Sequence, residues 1–292
     1  MYIYDSKTWF DFKFLLSKAD TLRKMLPILI GIFIYSAVLG YLEIEVWKLS
    51  SNSWVKNINL MHTTLGFVIS LLVVFRTNTA YDRWWEGRKQ WGALVNNSRN
   101  FAIKLAAVLD SQDTEYRQFF RKYIPMYAES LRVHLQSEST RLSLDVKEHP
   151  ELYILEKDKH IPNQVARILS LKVQQMYKEG IITDAHLINL NNEISALTDI
   201  CGGCERIKNT PIPYSYSSFI KRFIMIYIIT LPIGYVFQLG YYVAPLVTFI
   251  AYVLGSLELI AEEIEDPFGG DPNDLPLQKI SHNIQKHVGE IL

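Results

Sequence analysis

The chain has 292 residues and carries 30 Lys+Arg against 30 Asp+Glu, a formal net charge of zero. That balance argues against nucleic-acid binding, which normally shows a basic excess. Hydrophobic residues make up 49% and charged residues only 21%, so a disordered chain is excluded. Its 2 Cys cannot build a disulfide framework.

In chain order, the first 24 residues intersperse charges (Asp5, Lys7, Asp11, Lys13, Lys18, Asp20, Arg23, Lys24) and show no secretory signal peptide. Insertion is therefore expected through the first apolar segment. Three stretches then lack Asp, Glu, Lys and Arg: Met25–Leu42 (18 residues), Asn57–Phe75 (19) and Phe223–Leu257 (35). A bilayer core of about 30 Å needs about 20 residues of helix. The first two stretches each suffice for one span. The third reads as two, broken at Gln238-Leu-Gly-Tyr-Tyr-Val-Ala-Pro245.

The expected fold is an all-α membrane protein with four transmembrane helices and a helical cytoplasmic domain. Its divisions are 1–24 (cytoplasmic N-terminal segment), 25–75 (transmembrane helices 1 and 2), 76–222 (cytoplasmic helical domain), 223–257 (transmembrane helices 3 and 4) and 258–292 (acidic segment and C-terminal amphipathic helix). The second span is the most polar, with Asn57, Asn59, His62, Thr63, Thr64 and Ser70, so it is the candidate pore-lining helix. Lys and Arg concentrate before span one, after span two and before span three. The positive-inside rule then puts both termini and residues 76–222 in the cytoplasm.

Within 76–222 the spacing of Phe119, Phe120, Tyr123, Ile124, Tyr127 and Leu131 predicts a buried helix face. Similar patterns cover Gln164–Lys178 and Asp184–Lys208. Ser137–Thr140 reads as a loop, and Pro211-Ile-Pro213 stops a helix. The stripe Ile280, Ile284, Val288, Ile291 predicts an amphipathic helix that must dock on something, with a neighbouring subunit as the expected partner.

No phosphate loop, HExxH or GxSxG occurs, and the seven His show no metal-ligand spacing, so no enzyme is expected. Cys201-Gly-Gly-Cys204 lacks a second pair and a thioredoxin-like context, and reads as helix packing. The run Glu258, Glu262, Glu263, Glu265, Asp266, Asp271, Asp274 contains no cation. It is a solvated flank, a Ca²⁺ site, or a partner for Arg83, Arg88 or Lys89.

Phe75-Arg-Thr-Asn-Thr-Ala-Tyr-Asp-Arg-Trp-Trp-Glu-Gly-Arg88 with Asn96-Asn-Ser-Arg99, Cys201-Gly-Gly-Cys-Glu-Arg-Ile-Lys-Asn-Thr-Pro-Ile-Pro213, and Glu262-Glu-Ile-Glu-Asp-Pro-Phe-Gly-Gly-Asp-Pro-Asn-Asp-Leu275 closely resemble the prokaryotic bestrophin-like proteins. The resemblance covers nearly the whole chain. It implies a homopentameric ion channel in the cell membrane, a chloride channel family whose bacterial members include cation-selective ones. Its partners would be copies of itself, membrane lipid and monovalent ions, with no nucleic acid.

Carried over by that resemblance, the pore neck falls on Phe67, Leu71 and Phe75. Their i, i+4, i+8 spacing places three large apolar side chains on one helix face. Such rings gate by dewetting, although the same stripe would also suit packing against a neighbouring span. Ala185 maps to a second, cytoplasmic aperture. Asp266, Asp271 and Asp274 match the calcium-binding run of animal members, but Pro272 and Asn273 interrupt it here. No cofactor is expected to be required. The competing functions are a secondary transporter using His62, and a membrane-anchored sensor or scaffold.

Overall fold

Helix follows helix through residues 21–48, 58–136 and 160–292, the residues that this computed structural model describes, and these include no strand. The elements are α1 (Thr21–Tyr41) with a π-helical turn (Leu42–Val46), α2 (Ile58–Val108), α3 (Thr114–Gln136), α4 (Ile161–Lys178), α5 (Asp184–Asn209), α6 (Tyr214–Leu239), a 3₁₀ turn (Gly240–Tyr242), α7 (Val243–Glu265) and α8 (Leu277–Ile291). The all-α expectation holds. The Ser137–Thr140 loop reading lies outside the described residues.

Two compact units form. One takes in the described parts of Tyr2–Arg83 with Pro211–Glu265. The other comprises the described parts of Trp84–Thr210 with Asp266–Leu292.

The first unit holds α1, the first half of α2, α6 and α7. Its core is aliphatic: Met25, Leu29, Ile69, Val73, Ile224, Leu231, Val243 and Val247 are buried together. α1 lies along α7. Contact is close enough that a Cβ on Gly255 would strike the Met25 side chain, and the Thr21 hydroxyl donates to Ser256 Oγ at 2.9 Å. Small residues at helix contacts let backbones approach where lipid offers no hydrophobic drive. The expected break in the third apolar stretch is the 3₁₀ turn. Gly240 there has φ +56, a conformation that costs a residue with a Cβ but not glycine, and α7 packs back on α6.

Outward faces of this unit are oily. Ile28, Ile34 and Val38 of α1, Met225 and Ile226 of α6, and Phe249 of α7 are all exposed. Three helical stretches, Thr21–Val46, Ile58–Val108 and Tyr214–Glu265, are long and apolar enough to cross a bilayer. The chain is a membrane protein.

The second unit is built on an aromatic and aliphatic core. Phe120, Tyr123, Ile124, Tyr127 and Leu131 of α3 are buried and Phe119 packs beside them, as their spacing predicts. Phe120 meets Phe101 of α2 edge-to-face, with ring centroids 5.8 Å apart. Full burial of a side chain such as Phe120 is worth about 1.5–3 kcal/mol. Tyr127 is buried with its hydroxyl donating to Leu197 O at 2.7 Å, which ties α3 to α5. Cys201 and Cys204 are buried free thiols in the same core.

The expected docking surface of α8 is found within the chain, on α3. Ile284 and Val288 are buried in the core, Ile280 and Ile291 are half-buried against it, and Ser281 Oγ donates to Glu129 Oε2 at 3.0 Å.

Candidate functional site

α2 has two contrasting faces. His62, Ile69, Val73, Arg76 and Ala80 are buried. Their 7-4-3-4 spacing makes one stripe that faces α6 and the core. The opposite face is open, with Phe67 67%, Leu71 44% and Phe75 61% exposed. Hydroxyls stand among them. Thr63 donates to Asn59 O at 2.9 Å, Ser70 to Gly66 O at 2.8 Å and Thr79 to Phe75 O at 2.9 Å. Each hydroxyl satisfies its proton on its own helix, so this face tolerates a dry environment yet offers lone pairs to water. His62 is held away from the face: Nδ1 lies 3.0 Å from Ile58 O and Nε2 3.0 Å from Thr230 Oγ1.

In the same unit, cations meet the acidic run. Arg76 Nη2 lies 2.6 Å from Glu265 Oε2 and Arg76 Nε 3.5 Å from Glu258 Oε1. Lys24 pairs with Glu263 at 2.5 Å and Lys221 with Glu262 at 2.9 Å. Arg83 does contribute, donating from Nε to the Glu265 carbonyl at 3.1 Å.

In the other unit, residues 266–275 fold into a compact hook. Asp266 Oδ1 accepts the Phe268 N–H at 3.2 Å, Asp274 Oδ2 accepts the Asp271 N–H at 2.5 Å, and the Leu275 N–H donates to Pro267 O at 3.0 Å. Phe268 is wholly buried. It packs on Gly87, where a Cβ would lie only 3.2 Å from the Phe268 ring. Trp84 Nε1 donates to Asn273 O at 3.1 Å and Gln136 Nε2 to Gly269 O at 3.2 Å.

The two sequence motifs that stood out, 75–88 and 262–275, thus meet side by side. Asp266 and Asp274 both point an oxygen at Gly269, 3.4 Å and 2.9 Å from its would-be Cβ. The Asp271 residue is exposed. Ca²⁺ wants six or more oxygens, and two of these three carboxylates already cap the hook's own turns. Ala185 is exposed in the first turn of α5, two residues after the Thr183 cap, whose side chain accepts the His186 N–H at 3.5 Å.

One group escaped the sequence reading. His134, His160 and Glu205 bring their ligand atoms within 4.8 Å of one another. Spacings of 26 and 45 residues carry no local signature; only the packing of α3, α4 and α5 joins them.

Residues 1–290 match the family described as Bacterial/Fungal Bestrophin protein. A Nostoc sp. protein named voltage-dependent anion channel-forming protein is 35% identical over 230 residues, covering 77% of this chain and 75% of that one. A Ralstonia nicotianae protein of the same description is 28% identical over 286 residues, covering 96% and 92%. A mutant bacterial bestrophin homologue from Klebsiella pneumoniae has a crystal structure similar to this chain, with TM-score 0.79 and 25% identity, covering 91% of this chain and 98% of that one.

Proposed function

Because the chain belongs to the bacterial/fungal bestrophin family, we propose that it is a homopentameric channel passing small monovalent ions across the cell membrane. Four spans cross the bilayer, α1, the first half of α2, α6 and α7, with both termini in the cytoplasm. Five copies of α2 line the axial path, and Phe67, Leu71 and Phe75 form its neck. The helical body provides a cytoplasmic vestibule, with Ala185 at its second constriction.

The observation that carries this reading is the open face of α2. Three large apolar side chains at i, i+4 and i+8 stay exposed while the opposite face of the same helix is buried against its own chain. An apolar ring flanked by hydroxyls suits a water path that dries at the neck. The relatives' description favours anions; the neck carries no charge and imposes neither sign. No catalysis is proposed. No cofactor is proposed as a requirement of the channel.

The test is a reversal potential from purified protein in a planar bilayer under a salt gradient. A shift toward the chloride equilibrium potential supports an anion channel and a shift toward the cation's supports cation passage. Absence of unitary current in a pentameric preparation would overturn the channel reading.

A further inference from the structure

The group left unused by this reading lies at the junction of α3, α4 and α5. His134 sits in the last turn of α3, His160 caps α4, and Glu205 is on α5. His134 Nε2 is 2.7 Å and His160 Nε2 2.6 Å from the same oxygen, Glu205 Oε1. The two rings stand edge-to-face with centroids 4.5 Å apart. All three side chains are half-buried, at 17%, 29% and 31% exposure. The site is therefore reachable from solvent yet held by three helices of one unit. One carboxylate oxygen thus faces two imidazole nitrogens.

We propose that His134, His160 and Glu205 form a binding site for a borderline transition-metal cation of the Zn²⁺ class, with water in the remaining position. Two imidazole nitrogens and one carboxylate oxygen suit such an ion, whereas Ca²⁺ and Mg²⁺ demand all-oxygen shells. Zinc–ligand bonds of about 2.0–2.2 Å need the three ligand atoms to spread by less than about 1 Å from where they stand.

Binding also moves the ring protons. Both Nε2 atoms donate to Glu205 Oε1, and His160 Nδ1 accepts the Asn163 N–H at 3.2 Å. A metal taking both Nε2 positions leaves each ring with its proton on Nδ1. The Asn163 amide, an end group of α4, then turns to water. What the metal gains for the protein is a clasp. It joins the end of α3 to the start of α4, the two ends of the 137–159 connection, and fixes both to α5.

The experiment uses the full-length protein, affinity tag removed, in detergent micelles. Calorimetric titration with Zn²⁺, then with Ca²⁺, is run on wild type, His134→Ala and Glu205→Gln. Elution volume on size exclusion verifies folding. The expected result is one Zn²⁺ per chain, no matching Ca²⁺ event, and a loss of at least about 100-fold in Zn²⁺ affinity in each variant, since even outer-shell losses reach that size. Failure of wild type to take up stoichiometric Zn²⁺, or unaltered affinity in either folded variant, overturns the site. Should a variant fail to fold, Co²⁺ added to wild type decides. Intense visible bands of a four-coordinate ion support the site, and the faint spectrum of an octahedral ion overturns it.

Discussion

Arg76 and Glu265 form a buried ion pair, Nη2 to Oε2 at 2.6 Å, with the Arg76 side chain only 2% exposed. The pair ties the middle of α2 to the last residue of α7. Glu265 works in three directions: its other oxygen accepts the Ile212 N–H at 2.8 Å, and its carbonyl accepts from Arg83. One carboxylate thus pins the Pro211–Pro213 turn, α7 and the candidate pore helix.

Removing one partner leaves the other buried and unpaired. Arg76→Gln and Glu265→Gln should each destabilise the protein by about 3–5 kcal/mol. Unfolding by denaturant in micelles, followed by Trp fluorescence, measures this. A loss below about 1 kcal/mol in both would show that water replaces the pair.

The neck proposal makes the opposite forecast about stability. Phe67 and Leu71 are exposed, so Phe67→Ala and Leu71→Ala should change stability by no more than about 0.5 kcal/mol per chain. Flux through reconstituted liposomes should rise several-fold, because a narrower apolar ring has been widened. Unchanged flux with lowered stability would instead assign the stripe to packing between spans.

Much of the fold was legible because charge is excluded from lipid and from little else. The gaps at Met25–Leu42 and Phe223–Leu257 located α1, α6 and α7, and Gly240 marked the turn where a left-handed residue is needed. Less legible was the continuity of α2, which runs 51 residues from Ile58 to Val108. The change from apolar Phe75 to Arg76 looks like the end of an element, yet no proline interrupts the helix and Gly66, Gly87 and Gly92 are tolerated within it. Pairings such as Lys24 with Glu263, 239 residues apart, follow from tertiary packing alone. The same holds for Glu205 with its two histidines. For α8, periodicity named the apolar face correctly but not the surface it meets, because Ile284 and Val288 read the same whether they pack on α3 or on another copy.

Cys201 and Cys204 should be chemically inert in the folded protein. Burial, with the nearby Glu205 charge, pushes the Cys201 thiol up to about 12. Burial first, then the charges of Cys201 and Glu205, raises Cys204 further. The reactive form is the thiolate. At pH 8 alkylation should therefore run about a thousandfold slower in the native protein than in denaturant, judged against an ordinary thiol near 8.5. Mass spectrometry after timed iodoacetamide exposure reads the rate. Rapid native labelling at either position would mean that α5 opens locally.

The contact between α3 and α8 should weaken in acid. Glu129 lies below the usual carboxylate range: the hydrogen bond from Arg132 leads, burial opposes it, and the Arg132 charge and the Ser281 hydroxyl add to it. A carboxyl whose folded value is depressed favours folding fully above its unfolded value, about 4.3. That contribution fades as pH falls through the folded value. Glu129→Gln removes the ionisable group and the dependence with it. The gap in thermal midpoint between wild type and Glu129→Gln should therefore narrow as pH drops from about 6 toward 3. Ser281→Ala should reduce that gap at pH 6 by deleting one donor to the carboxylate, a hydrogen bond to a charged group being worth about 1.5–3 kcal/mol. A gap that stays constant across this pH window would place Glu129 in solvent and free α8 from the pairing.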